Sequence, residues 1–468
     1  MAATFDTAAP LDDDLAGLAE ARHKARQARQ ALDAFEDATQ EDLDRVVAAM
    51  AAAAWDASPE LARMAVDETG YGVYEDKILK NRYNAGFVAR SMAGMRAKGV
   101  LWVDKPGRMT AIGSPMGVIA AIIPVTNPTS TVIFKCLAAL KAGNTVVHAP
   151  HPRAARACAR TAEVMAEAAV GAGAPPGVIA CLERASIPAT TELMRHPDVA
   201  LVLATGGAGM VKAAYSSGKP TLAVGAGNVP VYVHRSVPDV AEAAEMVVTS
   251  KSFDNGTACV AEQTVVIDGG IFDQAVEAFS ARGVFFLDDP QQEKLTRLLF
   301  TDSGGLDPDH VGQPAVELAR RIGVAVPGST RVLGAVLTEV GRPSPLSAEI
   351  LGPVLSFYRA DTVDGAIERC AEVLAFGGAG HTLGLHATDE SVIASFGRLP
   401  ASRIPVNTPS LFGGMGYSTS IGPSFMLGTG TWSGSMVSDN VSPLHLINIK
   451  RVAYEVRPWR SLYEMLGS

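Results

Sequence analysis

Residues 118–150 read VIAAIIPVTNPTSTVIFKCLAALKAGNTVVHAP, and this stretch decides the fold. Val118 to Ile123 is a short apolar run of strand length, Ser130 to Ala142 has apolar residues at helical spacing, and Thr145 to His148 is a second short apolar run. The same rhythm continues with a helix over Arg153 to Val170, a strand over Val178 to Leu182, a helix over Pro188 to Arg195 and a strand over Val199 to Ala204. Strands alternating with helices predict a parallel sheet wound with crossover helices, the style of a nucleotide-binding domain.

Upstream, Leu15 to about Ala97 is Ala-rich, with apolar residues at three- and four-residue spacing such as Leu32, Phe35, Leu43, Val46, Val47 and Met50. These read as scaffold helices. Leu11, Leu15 and Leu18 suit an amphipathic targeting helix, but the pattern runs on without a linker, which favours the scaffold reading. Downstream, a second α/β series begins near Pro230. Ser236 and Pro238 mark the cap and first turn of a helix towards Ser252, Thr264 to Ile267 a strand, and Phe272 to Ala281 and Val363 to Ala375 helices. Val354 to Tyr358 and Thr382 to His386 are further strands. The break at Asn228 to Pro230 is the expected domain boundary. A chain of 468 residues exceeds one ordinary core, which fits two or three domains.

Composition removes several function classes. A net charge of −9, with no basic run interleaved with aromatics, argues against nucleic-acid binding and for small-molecule substrates. No stretch approaches the roughly 18 continuous apolar residues of a membrane span, and the opening MAATFDTAAPLDDDLAG is acidic where a signal peptide is basic then apolar; a cytoplasmic location is expected. Cys136, Cys158, Cys181, Cys259 and Cys370 are odd in number and form no CxxC pair, so neither a disulfide framework nor a thiolate metal site is expected.

Of the five cysteines, Cys259 alone sits in a chemically suggestive context, Ser252-Phe253-Asp254-Asn255-Gly256-Thr257-Ala258-Cys259-Val260-Ala261-Glu262-Gln263. A thiol on a glycine-containing turn between a helix and a strand can face a cleft, and turn amides stabilise both a thiolate and an oxyanion.

FDNGTAC followed by AEQ resembles the nucleophile motif of CoA-acylating aldehyde dehydrogenases, including propionaldehyde dehydrogenases and the aldehyde dehydrogenase half of bifunctional alcohol/aldehyde dehydrogenases. Other blocks agree in the same order: Ile123 to Ser130 resembles the first oxyanion-hole loop and His148 to Arg153 the cofactor loop. Ala204 to Gly207 and Gly225 to Asn228 also fit, and Leu427 to Trp432 with Leu444 to Asn448 is similar to the C-terminal signature. The likeness spans roughly residues 15 to 455. It implies two doubly wound α/β domains, with a Rossmann-like cofactor domain over 1–229 and a catalytic domain over 230–410. Residues 411–468 then return to the cofactor domain and a subunit interface, and Leu444 to Val452 pairs as a strand across a homodimer or within a homotetramer.

The resemblance also implies a mechanism. Cys259 attacks the aldehyde carbonyl, the oxyanion is held by Asn127 and the Cys259 amide, hydride leaves to NAD or NADP, and coenzyme A takes the acyl group from the thioester. Asn127 also reads as a helix N-cap or Asx turn. Hydrolytic relatives carry a glutamate base in a motif resembling E-L-G-G-K. The matching stretch here is Val224-Gly225-Ala226-Gly227-Asn228, without a carboxylate, which favours a thiol over water. Glu262 is the candidate replacement base, and a hydrolytic enzyme the alternative.

For the cofactor, Thr205, Gly206, Gly207 and Gly225 form glycine turns suited to phosphate or ribose, and Thr126, Pro150, His148 and His151 belong to the resembling loops. His148 and His151 replace the lysine and glutamate of many relatives and leave NAD versus NADP open. Glu349 resembles the glutamate that grips the nicotinamide ribose. His381, in a glycine-rich loop, is a candidate for approach to the thioester, with a packed histidine as the alternative; paired with Cys259 it would suit a cysteine hydrolase. Lys135 and Lys251 read as helix-face charges. The hydroxyls of Gly413 to Ser420 suggest a functionalised aldehyde such as sulfoacetaldehyde beside acetaldehyde and propionaldehyde.

Overall fold

The computed structural model describes residues 13–466; Leu11 of the suggested targeting helix lies outside them. The chain opens with helices Asp13–Ala34 and Gln40–Thr69. The second starts on a capping box between Thr39 and Asp42 and stops at Gly70, whose φ of +72° only glycine adopts without strain. Helix Tyr74–Arg82 then continues through one wide turn, Tyr83–Val88, into Ala89–Met92.

The strands are β1 (Gly99–Asp104), β2 (Met109–Pro115), β3 (Val118–Ile123), β4 (Thr145–Pro150), β5 (Ile179–Cys181), β6 (Val199–Thr205) and β7 (Thr221–Val224). Then come β8 (Val229–Val233), β9 (Glu262–Asp268), β10 (Val284–Phe286), β11 (Val332–Val336), β12 (Val354–Ala360), β13 (Gly380–Thr382), β14 (Gly384–His386), β15 (Ala401–Arg403) and β16 (Ile447–Ala453). A first parallel sheet runs β5-β4-β3-β6-β7, and a second runs β10-β11-β12-β9-β8-β14. The α/β fold with parallel sheets read from the sequence is the fold observed. β13 and β15 form a separate pair, and β1-β2-β16 is an antiparallel sheet.

Burial explains the clarity of the first series. Every residue of β3, β4 and helix Pro128–Lys141 is buried, because helices cover both faces of the sheet. The first sheet reverses its winding between β3 and β6, and a crevice opens beyond the carboxyl ends of those strands, the usual ligand position in open α/β sheets.

Three readings need adjustment. The helix towards Ser252 begins at Val240 on an Asp239 cap, since Asp239 accepts from the Ala241 and Glu242 amides, and Ser236 instead binds the Thr388 and Asp389 amides. Thr382 to His386 is divided between β13 and β14, which pair with different partners. Leu444 to Leu446 belongs to a short 3₁₀ turn before β16.

The C-terminal segment lies back on the first half. β16 pairs along β2, Ser435 Oγ donates to Ala223 O, and the buried Asn144 donates to Leu446 O while accepting from the Gly117 amide. Asn144→Ala should leave two buried backbone groups without partners and cost about 2–4 kcal/mol, read as a lowered urea midpoint.

Candidate active site

A cavity of about 520 Å³ lies where the two parallel sheets face each other. Its walls come from the loop after β3 (Pro124 to Asn127), the end of β4 (Ala149 to Pro152), the turn after β6 (Thr205 to Gly207) and the β7–β8 connection (Val224 to Ala226). Thr257 to Val260 and Glu349 close it from the second half.

Cys259 is half-buried at its floor, and the other four cysteines are buried. The turn that presents it is unusual: Asp254, Asn255 and Gly256 take φ values of +50°, +51° and +72° in succession. Asp and Asn are the non-glycine residues that best tolerate this left-handed region, so the Asp-Asn-Gly sequence suits the turn. The Asp254 carboxylate anchors it by accepting from Lys77 and Lys80, from Thr257 Oγ1 at 2.7 Å and from the Val73 amide at 2.7 Å. Asp254 is fully buried and both lysines nearly so. Burial alone would raise the Asp254 pKa, but Lys80 and Lys77 outweigh it and hold the carboxyl below its usual value.

Lys80 also orients Asn127. It donates to Asn127 Oδ1 at 2.6 Å, which turns Nδ2 towards Thr257 O at 3.2 Å and Thr126 Oγ1 at 3.1 Å. Asn127 occupies the N-cap position of its helix without a side-chain cap bond, so its amide is committed to the cavity wall.

Burial pushes the Cys259 thiol up to about 12, and the Glu349 charge adds to the rise. Arg403, the Cys259 amide and Lys80 oppose it. Arg403 is buried, donating to His381 O, Gly428 O and Asn440 Oδ1. Among the described residues lining the cavity Glu349 is the sole carboxylate, and its Oε1 accepts from the Gly227 amide at 2.8 Å. The β7–β8 connection contributes Val224, Gly225 and Ala226 to the wall and no acid.

Thr126, Asn127, Pro150, His151, Thr205, Gly206, Gly207, Gly225, Cys259 and Glu349 are brought together here. His148, Glu262 and His381 are not. His148 is a buried residue of β4 with Nε2 3.2 Å from Cys136 Sγ, and burial with the Lys135 charge lowers its pKa to about 3. Glu262 is buried on β9, where Oε1 accepts from the Ser410 amide; burial raises its pKa, so it anchors the 410–415 turn. His381 packs behind Gly227, its ring carbon about 3.0 Å from where a Cβ there would stand. Burial and Arg403 hold it neutral, with Nδ1 beside Thr382 Oγ1.

The two lysines read as helix-face charges are corrected as well. Lys135 is buried and donates to Ile122 O and Leu203 O, because its helix has no solvent face. Lys251 is buried between Gln263 and Ile350 O. Nor do the hydroxyls of Ser418, Thr419 and Ser420 line the cavity; from that stretch only Met415 does.

A profile described as the aldehyde dehydrogenase family matches residues 13–293. The acetylating succinate-semialdehyde dehydrogenase of Clostridium kluyveri is 36% identical over 92% of this chain and 94% of that protein. The chain belongs to the aldehyde dehydrogenase family, in its CoA-acylating branch. The bifunctional aldehyde-alcohol dehydrogenase AdhE of Escherichia coli K12 is 40% identical over 93% of this chain and 49% of that protein, so the chain spans about half of that relative's length. An acetylating aldehyde dehydrogenase from Geobacillus thermoglucosidasius superposes with a TM-score of 0.94 at 43% identity, covering 96% of this chain and 99% of that one. A propionaldehyde dehydrogenase from Rhodopseudomonas palustris, solved with bound CoA and an acylated cysteine, gives 0.84 at 29% identity over 93% and 97%.

Sequence reading missed Lys77, Lys80, Arg403 and the buried role of Asp254. The spacing of Lys77 and Lys80 on one helix face was the available signal, but their partner lies 174 residues away from Lys80. Lys80→Met should cost about 3–5 kcal/mol, because it removes one partner of a buried carboxylate, and should release Asn127. The Asp254 pKa is depressed in the folded state, so its contribution is present above the ordinary carboxylate pKa and lost as pH falls through the lowered one. Urea titrations across acid pH should therefore show a flatter decline for Asp254→Asn. A Cβ at Gly227 would stand 2.1 Å from Cys259 O; Gly227→Ala is expected to displace the nucleophile loop and cut kcat/KM about 100-fold or more, measured with saturating cofactor.

Proposed function

We propose that this chain interconverts a short-chain aldehyde and its acyl-CoA, using NAD or NADP and coenzyme A, through an acyl thioester on Cys259. One observation carries the reading: Cys259 shares an apolar cavity with no carboxylate from the β7–β8 connection, where hydrolytic relatives carry their water-activating glutamate. With water poorly activated, a thiol is the favoured acceptor of the acyl group.

The chain's own residues divide the work. Cys259 bonds to the carbonyl carbon, and its backbone N–H and Asn127 Nδ2 are the donors assigned to the oxyanion. Asn127 serves there by exchanging its bond to Thr126 Oγ1 for one to the substrate oxygen.

The residues present fit a nicotinamide dinucleotide. Thr205 Oγ1 is buried without a partner, and added Cβ atoms at Gly207 and Gly209 would meet nothing within 4 Å, which leaves an open cradle at a helix N-terminus. Thr205, Gly206, Gly207, Gly225, Pro150 and His151 would hold the phosphates and adenosine ribose, and Glu349 the nicotinamide ribose. When bound, the nicotinamide supplies the hydride acceptor.

Val260, Leu411, Met415, Phe425 and Leu427 line the Cys259 end of the cavity, and the one lysine there, Lys80, is engaged by Asp254, Asn127 and Thr257. This supports acetaldehyde or propionaldehyde over a sulfonated substrate, which needs an unengaged cation. The change of sheet between β7 and β8 supports a cofactor domain over 1–229 and a catalytic domain over 230–410. The outer edge of β16 and the exposed Trp459, Leu462 and Tyr463 in 411–468 support a homodimer or homotetramer. No helix among the described residues is long and apolar enough to cross a membrane, in keeping with a cytoplasmic enzyme.

Reduction of NAD or NADP by acetaldehyde or propionaldehyde should require CoA and yield acyl-CoA, and Cys259→Ser should lower kcat about 1,000-fold or more. Equal turnover with and without CoA would overturn the acylating reading.

A further inference from the structure

The two elements flanking the Cys259 turn each send one buried side chain to the backbone of the same residue, Ile350. Lys251, at the end of helix Val240–Ser252, donates to Ile350 O at 3.0 Å and to Gln263 Oε1 at 2.8 Å. Gln263, on β9, accepts the Ile350 amide on that same Oε1 at 2.9 Å. Both polar groups of Ile350 are thus fixed by residues that bracket Cys259. The preceding residue is Glu349, whose carboxylate reaches the cavity and takes the Gly227 amide. Gly227 in turn lies so close to the Cys259 carbonyl that a Cβ does not fit. Carboxylate and thiol are therefore held on one rigid frame, and Cys259 needs a proton acceptor because its buried thiol is neutral.

We propose that Lys251 and Gln263 are positioning residues that hold Glu349 as the proton acceptor for the Cys259 thiol. This rests on the reading of Cys259 as the nucleophile. The Cys259 S–H bond breaks, an O–H bond forms on Glu349, and the sulfur keeps the electron pair that attacks the carbonyl carbon. When coenzyme A attacks the thioester, its S–H bond breaks and that proton is released to solvent; Cys259 departs as a thiolate and takes its own proton back from Glu349, so Glu349 is restored.

The surrounding charges suit this role. Burial raises Glu349 to about 7, while the Gly227 N–H and Lys251 pull against it. Burial lowers Lys251 to about 7, opposed by Glu349 and Glu262. Arg403 and Lys80 face Cys259, and the neutral His381 lies behind Gly227. Glu349 thus loses its proton near neutral pH, where an acceptor is most useful.

The test is the pH profile of iodoacetamide alkylation of the cofactor-free enzyme, with Cys259→Ser as the blank for the four buried cysteines. The wild type should rise to a plateau as Glu349 ionises near pH 7. Glu349→Gln should lose that inflection and react about 10-fold or more slowly at neutral pH. Lys251→Met should move the inflection to higher pH, because the cation that favours the carboxylate is gone. Circular dichroism confirms folding of each variant, and Glu349→Gln carries the test if Lys251→Met does not fold. If Glu349 serves only the cofactor, removing its negative charge makes the thiol more acidic, and Glu349→Gln will react at an unchanged or faster rate; that result overturns the proposal. An unmoved inflection in Lys251→Met overturns the role of Lys251. Wild-type activity that persists without CoA would instead overturn the acylating reading.

Discussion

One buried carboxylate organises the site. Asp254 is fully enclosed, and enclosing a charge is costly unless it is paired and hydrogen-bonded on all sides. The cost is offset by Lys77, Lys80, Thr257 and the Val73 amide, which come from the helical N-terminal region and from the turn itself. The same bonds hold Asp254 and Asn255 in left-handed conformations that a free chain would rarely visit. Through Lys80 the network reaches Asn127, so the turn that bears Cys259 and the Asn127 side chain share one anchor.

Around that anchor the cavity is largely apolar and sparsely charged. A neutral thiol, a carboxyl poised near neutrality and a buried lysine of matching pKa lie within one low-dielectric region. In such surroundings each charge is felt strongly by the others, and glycine at position 227 permits the close backbone approach that couples them. The β7–β8 connection brings no carboxylate to this wall, which leaves Glu349 as the sole cavity acid among the described residues.

Much of the framework was legible because local pattern and tertiary burial agree. β3 was read residue for residue because it is apolar throughout and buried on both faces, and helix Phe272–Ala281 because its apolar spacing matches the face it buries. Cys259, Asn127 and the glycine turns were legible from motif order, and they converge on the cavity. His148, Glu262 and His381 were not placed correctly by proximity in sequence. His148 precedes the residues that reach the cavity and stays buried in β4 against Cys136, and Glu262 follows the nucleophile but joins a strand whose residues are all buried.

The sequence by itself determined the alternation of strands and helices, the turn that bears Cys259 and the absence of an acid at Val224 to Asn228, because all three are written in contiguous residues. Only the tertiary structure decided which charges surround Cys259. Lys80 and Asp254 lie 174 residues apart, Gly227 and Glu349 122 apart, and Lys251 and Ile350 99 apart. A lysine reads as a surface charge in any local window, and whether it meets water or a buried partner is settled only when distant segments pack. Desolvation then converts those meetings into the pKa shifts on which the chemistry depends.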